Sequence, residues 1–128
     1  MKFVLDSWAV IALLRDEPAA EQVGAAIEAG SLCCWINLSE VLYIETRRVG
    51  YERASHAVDS IEAALTTEAP EPPLFRAAAR IKANGGVSFA DSFAIATAEI
   101  HDLELLTGDP EILICDRPDL RVTDLRKA

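Results

Sequence analysis

Two rhythms of apolar and polar positions divide the chain. Short apolar blocks at 2–5, 32–36, 104–107 and 120–123 read as buried strands. Longer stretches at helical spacing lie between them. A first helix is expected over 7–14 with Ser7 as its cap. A second runs from about Pro18 to Gly30, and a third from Asn37 to about Val49 with Gly50 as its stop. Further helices are expected over 51–64 and 74–84, the latter ending at Gly85 and Gly86. After that turn comes a helix of small and apolar residues, and Pro110 opens a short one. The proline-rich stretch 66–73 reads as a loop between helices. Strands separated by helices imply parallel pairing with helices on both faces. The expected fold is therefore α/β, a three-layer α/β/α sandwich around a small, mainly parallel central sheet, forming a single domain over 1–128.

Composition narrows this picture. With 128 residues, 51% hydrophobic and 26% charged, the chain can bury a real core and is not of a disordered type. Its longest apolar run, residues 8–14, is far below the roughly 20 residues of a membrane span. The opening resembles a signal peptide only faintly, because Asp6 interrupts its apolar stretch and Arg15, Asp16 and Glu17 follow where small residues should stand. A cytoplasmic location and no membrane partner are expected. Cys33, Cys34 and Cys115 have no metal-binding spacing and read as small hydrophobes, the first two facing opposite sides of a strand.

The candidate chemistry is acidic. Asp6 follows the first strand and Asp109 the third, the ends at which an open parallel sheet offers its crevice. Glu40 and Asp91 are each expected in the first turn of a helix, where exposed amides favour a carboxylate. Ser7, Asn37, Ser88 and Thr107 stand next to these acids in sequence and can orient carboxylates or hold water. A local explanation exists for most of the acids. Asn37 with Glu40, and Ser88 with Asp91, fit the capping-box spacing, and Asp109 before Pro110 fits a cap or turn. Asp6 at the end of a buried strand is harder to dismiss, because a buried acid is costly unless bonded. Two carboxylates about 4 Å apart repel by roughly 4 kcal/mol at an effective dielectric near 20. Four of them in one cleft therefore call for a divalent cation, and oxygen ligands favour Mg²⁺ or Mn²⁺.

In order and spacing, Phe-Val-Leu-Asp-Ser at 3–7, Ile-Asn-Leu-Ser-Glu-Val-Leu-Tyr at 36–43, Phe-Ala-Asp-Ser-Phe-Ala-Ile-Ala-Thr-Ala at 89–98 and Leu-Leu-Thr-Gly-Asp at 105–109 resemble the PIN-domain nucleases. The resemblance is strongest to the toxins of bacterial VapBC-type toxin–antitoxin pairs, and it covers essentially the whole chain. It implies a metal-dependent endoribonuclease with Asp6, Glu40, Asp91 and Asp109 as metal-binding acids and Thr107 in support. It further implies an RNA substrate, a homodimer, and a cognate antitoxin that blocks the cleft in a heterotetramer or larger assembly. Ile112 stands where the family often has an aromatic residue, and Asp102 where glycine is common.

A net charge of −9 is unusual for an RNA-binding protein, since phosphate contacts supply most of the affinity. Arg15, ending the helix that starts beside Asp6, and Arg47, two turns beyond Glu40 on nearly the same face, are the expected phosphate contacts. Arg48 is expected to point away from them. Rival readings are a catalytically silent PIN-like module that binds RNA or protein, and a receiver-like phospho-acceptor domain. The second lacks its acidic pair after the first strand and its late lysine. A haloacid-dehalogenase-type phosphatase would need an acid where Trp8 stands.

Overall fold

The computed structural model describes residues 1–127. Five strands, β1 (Phe3–Leu5), β2 (Ser31–Cys34), β3 (Thr66–Glu68), β4 (Glu104–Thr107) and β5 (Val122–Asp124), form one sheet in the order β3-β2-β1-β4-β5. Every neighbouring pair is parallel, and Phe3 stands opposite Ser31 on one side and Glu104 on the other. Between the strands run α1 (Ser7–Leu14), α2 (Ala20–Ala29), α3 (Trp35–Val49), α4 (Tyr51–Ala64), α5 (Pro72–Ala83), α6 (Phe89–His101) and α7 (Pro110–Leu113). A single 3-10 turn, Leu125–Lys127, follows β5. Among the described residues no helix is long and apolar enough to cross a membrane.

Alternation along the strands builds two separate cores, one on each face. Val4, Cys34 and Leu105 pack against α5 and α6 through Leu74, Ala78, Phe93 and Ile95. Leu5, Cys33 and Leu106 face the other way, onto Ala9, Val23, Val41 and Val58 of α1 to α4. Adjacent Cys33 and Cys34 thus serve opposite layers as free thiols. The chain leaves β1 towards β2 and β3, then returns to the far side of β1 for β4 and β5. Its direction reverses between β1 and β4, which opens a crevice beyond their carboxyl ends.

Several expected boundaries move, each for a local reason. Residues 66–73, expected as a loop, begin with β3. Its Thr-Thr-Glu has no apolar alternation to betray it, but β-branched residues suit a three-residue edge strand beside β2. The second strand stops at Cys34 rather than at 36. Cys34 is extended and starts α3, so Trp35 and Ile36 are helical, with Trp35 largely exposed. Apolar Trp-Ile cannot be assigned to strand or helix by periodicity alone. This shift puts Asn37 inside α3 and Glu40 in its second turn, so neither belongs to a capping box. Asp6, not Ser7, caps α1. Pro18 precedes α2 rather than opening it, and both Pro72 and Pro73 lie in the first turn of α5, two residues before its expected start. The last strand is Val122–Asp124, and Leu120 precedes it and packs against the core on the α5 and α6 face.

Candidate active site

The crevice between β1 and β4 gathers carboxylates from four elements. Asp6 leaves β1 in an extended conformation, and its Oδ1 accepts a hydrogen bond from the Ala9 N–H at 2.9 Å, capping α1. Its other oxygen accepts a hydrogen bond from the Thr107 hydroxyl at the end of β4. That hydroxyl oxygen also accepts from the Asp109 N–H at 2.9 Å, so one side chain fixes both acids. Asp109 in turn caps α7 by accepting from the Glu111 N–H at 2.9 Å. On the opposite wall Ser88 caps α6, its Oγ accepting from the Asp91 N–H at 3.1 Å.

Asn37 is fully buried and ties the walls together. Its Nδ2 donates to the Ala90 carbonyl at 3.0 Å, while its backbone carbonyl accepts from the Ser7 hydroxyl at 3.1 Å. Ser7 and Asn37 thus hold α1, α3 and α6 at one junction.

Glu40, Asp91, Asp109 and Glu111 line a cleft of about 310 Å³, with Trp8, Ile11 and Ile44 as its apolar rim. Asp6 lies beneath, only 1% exposed, near enough for the charges of Asp109 and Glu40 to act on it. Ligand atoms of Asp91, Asp109 and Glu111 all fall within 4.8 Å of one another. All four acids expected from the sequence therefore reach the crevice. Glu40 does so from the second turn of α3; it and the buried Asp6 both stand outside the tightest group, which Glu111 joins with Asp91 and Asp109.

Burial shapes the electrostatics. It pushes the Asp6 carboxyl up to about 7, against the lowering effect of the Thr107 and Ala9 hydrogen bonds, and the charges of Asp109 and Glu40 add to the rise. Asp91 is raised as well, by burial first and then by Asp109 beside it. Its Oδ2 is buried and has no hydrogen-bond partner among the described residues. An orphaned carboxylate oxygen among other carboxylates is costly by itself. An all-oxygen donor set facing it fits a hard divalent cation.

Trp8 bears on this geometry through a close approach. A Cβ built on Gly108 would lie 2.3 Å from the Trp8 ring, so only glycine lets the indole cover the turn from Thr107 to Asp109. The arginines differ from expectation. Arg15 donates from Nε to Glu45 at 2.7 Å, and Arg48 does the same to the other oxygen of that carboxylate. Arg47 is exposed, and no hydrogen bond engages its side chain among the described residues. Arg48, expected to point away from the Glu40 and Arg47 face, is drawn to Glu45, a 2% exposed acid three residues back along α3.

Sequence reasoning missed Glu111 and Glu45. Glu111, after Asp-Pro, looks like an ordinary first-turn acid. Glu45 carried a usable signal: it falls four residues after Val41 and seven after Leu38, on the buried face of α3, with an arginine three residues on.

Solved structures with the same fold include a chain of the DNA-bound VapBC from Salmonella typhimurium. It is 17% identical, with 98% of each chain covered and a TM-score of 0.80. A chain of VapBC2 from Rickettsia felis, bound to a promoter DNA fragment, is 13% identical over 97% of this chain and 98% of that one, with a TM-score of 0.78. VapC20 from Mycobacterium tuberculosis, described as a sarcin-ricin loop cleaving toxin, is 18% identical over 84% and 90%, with a TM-score of 0.73. No curated protein matches the sequence. The PIN-domain family model matches residues 3–117, a span that holds every acid of the cleft, and the chain belongs to the PIN-domain family.

Proposed function

We propose that this protein is a divalent-metal-dependent endoribonuclease, the toxin of a toxin–antitoxin pair. The observation that carries the reading is the buried Asp91 carboxylate, with one oxygen unpartnered, facing Asp109 and Glu111 over the Asp6–Thr107 pair. Asp6, Glu40, Asp91 and Asp109, joined by Glu111, would hold Mg²⁺ or Mn²⁺. When bound, such a cation supplies charge stabilisation at a phosphodiester and lowers the pKa of water.

The chain's own residues supply rigidity. The Ala9 N–H and the Thr107 hydroxyl hold both oxygens of Asp6. Ser88 and Asn37 fix the start of α6, and with it Asp91. Trp8, Ile11 and Ile44 form an apolar rim beside these acids.

The VapBC complexes among the similar folds support an antitoxin partner in a larger assembly, and the family resemblance implies a homodimer within it. The acidic cleft suits an antitoxin that presents arginine, whose fork matches carboxylate oxygens. The decisive experiment incubates total cellular RNA with the purified protein in millimolar Mg²⁺ or Mn²⁺, in chelator, and with the Asp91→Asn variant. Cleavage is expected only for the unaltered protein with metal. Equal cleavage by the variant would overturn the assignment.

A further inference from the structure

One buried acid lies just outside the cleft and is not explained by it. Glu45 sits on the α1-facing side of α3, and its two oxygens each accept one hydrogen bond at 2.7 Å, from Arg15 Nε and Arg48 Nε. Burial alone would push this carboxyl up, yet the hydrogen bonds and charges of Arg48 and Arg15 hold it below its ordinary value. It is therefore an anion between two cations, and the trio keeps a net positive charge in a chain of net −9.

The manner of pairing is informative. Elsewhere in the molecule Arg117 closes on Glu99 with both Nε and Nη2, at 2.6 and 2.9 Å, one arginine consuming one acid. At Glu45 each arginine spends only its Nε. No acceptor engages the Nη groups of Arg15 or Arg48 among the described residues, and their side chains are 33% and 48% exposed. Two guanidinium ends thus reach solvent side by side, oriented by a carboxylate that cannot itself be reached. Their position follows from the helices. Arg15 is one turn beyond Ile11 on α1 and Arg48 one turn beyond Ile44 on α3, and both isoleucines line the acidic cleft.

We propose that Arg15 and Arg48 form a phosphodiester-binding fork beside the cleft, with the buried Glu45 as its positioning residue. This rests on the ribonuclease reading and adds the subsite that grips the RNA backbone away from the scissile bond. Planar guanidinium groups match phosphate oxygens bidentately, and two of them held side by side suit a backbone segment rather than a base. The fork also answers how so acidic a protein approaches RNA, since local positive charge sits one helical turn beyond the cleft's apolar rim.

The test measures affinity for a labelled, mixed-sequence single-stranded RNA pool in Mg²⁺ over a series of salt concentrations. It uses the full chain carrying Asp91→Asn, so that the RNA stays intact. Adding Arg15→Ala or Arg48→Ala is expected to weaken binding about tenfold and to lower the salt slope by about one, as for the loss of one phosphate contact. In the active protein the same changes raise KM rather than lower kcat. Arg48→Lys keeps the charge without the fork and falls between. Glu45→Gln removes a negative charge, so bulk attraction alone predicts tighter binding, whereas loss of positioning predicts weaker binding.

Arginine variants that melt as folded proteins and bind RNA with unchanged affinity and salt slope would reduce the trio to a clamp between α1 and α3 and overturn the proposal. Tighter binding by Glu45→Gln would overturn the positioning role. An unaltered protein that neither binds nor cuts RNA defeats the ribonuclease reading and the fork with it. RNA cleavage that is indifferent to the arginines defeats the fork alone.

Discussion

Glu45 and Asp91 are both almost fully buried acids, on helices α3 and α6 that meet at Asn37, and the fold treats them differently. Each oxygen of Glu45 has an arginine, and its carboxyl is held below its ordinary value. Asp91 has an oxygen with no partner, acids as neighbours, and a carboxyl pushed up by burial. The chain can satisfy a buried carboxylate with its own cations, since it does so one helix away. Where it instead assembles further acids, the missing charge is left to come from outside. The same contrast separates a patch of positive charge, at the arginines, from a cluster of negative charge, at the cleft.

Removing each charge in turn should break the comparison most visibly. Asp91→Asn is expected to lower RNA cleavage at least about a hundredfold, the scale of losing one preorganised charge in an active site. It should also raise the melting temperature of the metal-free protein. Glu45→Gln should lower it, by about 1–2 kcal/mol of stability, a figure discounted because its arginine partners are half-exposed. Chemical denaturation of both variants in chelator reads the two signs. Stability changes of the same sign would show that the two acids are not opposites.

The next largest effect is on pH. Asp6 rises from its ordinary 3.8 to about 7 on folding, so the folded metal-free protein binds that proton more tightly than the unfolded chain does. Its contribution is complete below about pH 4 and is lost as pH climbs through 7, of the order of 4 kcal/mol at ~1.4 kcal/mol per unit. Asp91, raised by the same cause, extends the loss upward. Metal-free stability should therefore fall from pH 4 to pH 8, and millimolar Mg²⁺ or Mn²⁺ should flatten the curve by binding the charged acids. A curve that rises over this range, or ignores the metal, would contradict the site's electrostatics.

Gly108→Ala sharpens the cleft side of the comparison without touching a charge. The new methyl would overlap the Trp8 ring, so the indole or the turn bearing Asp109 must shift. A cost of about 1–3 kcal/mol is expected, as for overpacking elsewhere, together with reduced cleavage. Trp8→Ala in the same chain should recover part of the cleavage if displacement of the turn is the cause. Failure of that rescue would place the damage elsewhere.

The cleft was more legible in the sequence than the Arg15–Glu45–Arg48 trio, and the reason is physical. Asp6, Thr107 and Asp109 follow short apolar strands, and a parallel sheet brings such strand ends together whatever the helices do between. Ser88 and Asp91 follow a Gly-Gly turn that marks their helix start. Glu40 lines the crevice from the second turn of α3 rather than the first, because Trp35 and Ile36 carry no sign of whether strand or helix claims them. Glu45 was passed over because a single acid in a charged amphipathic helix looks solvated until the face it occupies is known. β3 was invisible because two threonines and a glutamate make an edge strand only when β2 is already beside them.

The finest test concerns the hydroxyl that joins Asp6 to Asp109. Thr107 Oγ1 donates to Asp6 and accepts from the Asp109 N–H, and it is fully buried. Thr107→Val keeps the shape and removes both bonds, leaving one oxygen and one N–H unpaired at a cost of about 1–3 kcal/mol. The Thr107 bond is the strongest influence lowering Asp6, so its loss should raise that carboxyl further. The acid limb of the cleavage–pH profile should then move to higher pH, with a modest fall in rate at its plateau. Thr107→Ser restores the hydroxyl without the methyl and should return the limb to its original position. If valine and serine give the same profile, the hydroxyl only fills space, and Asp6 is held by the cap of α1 alone.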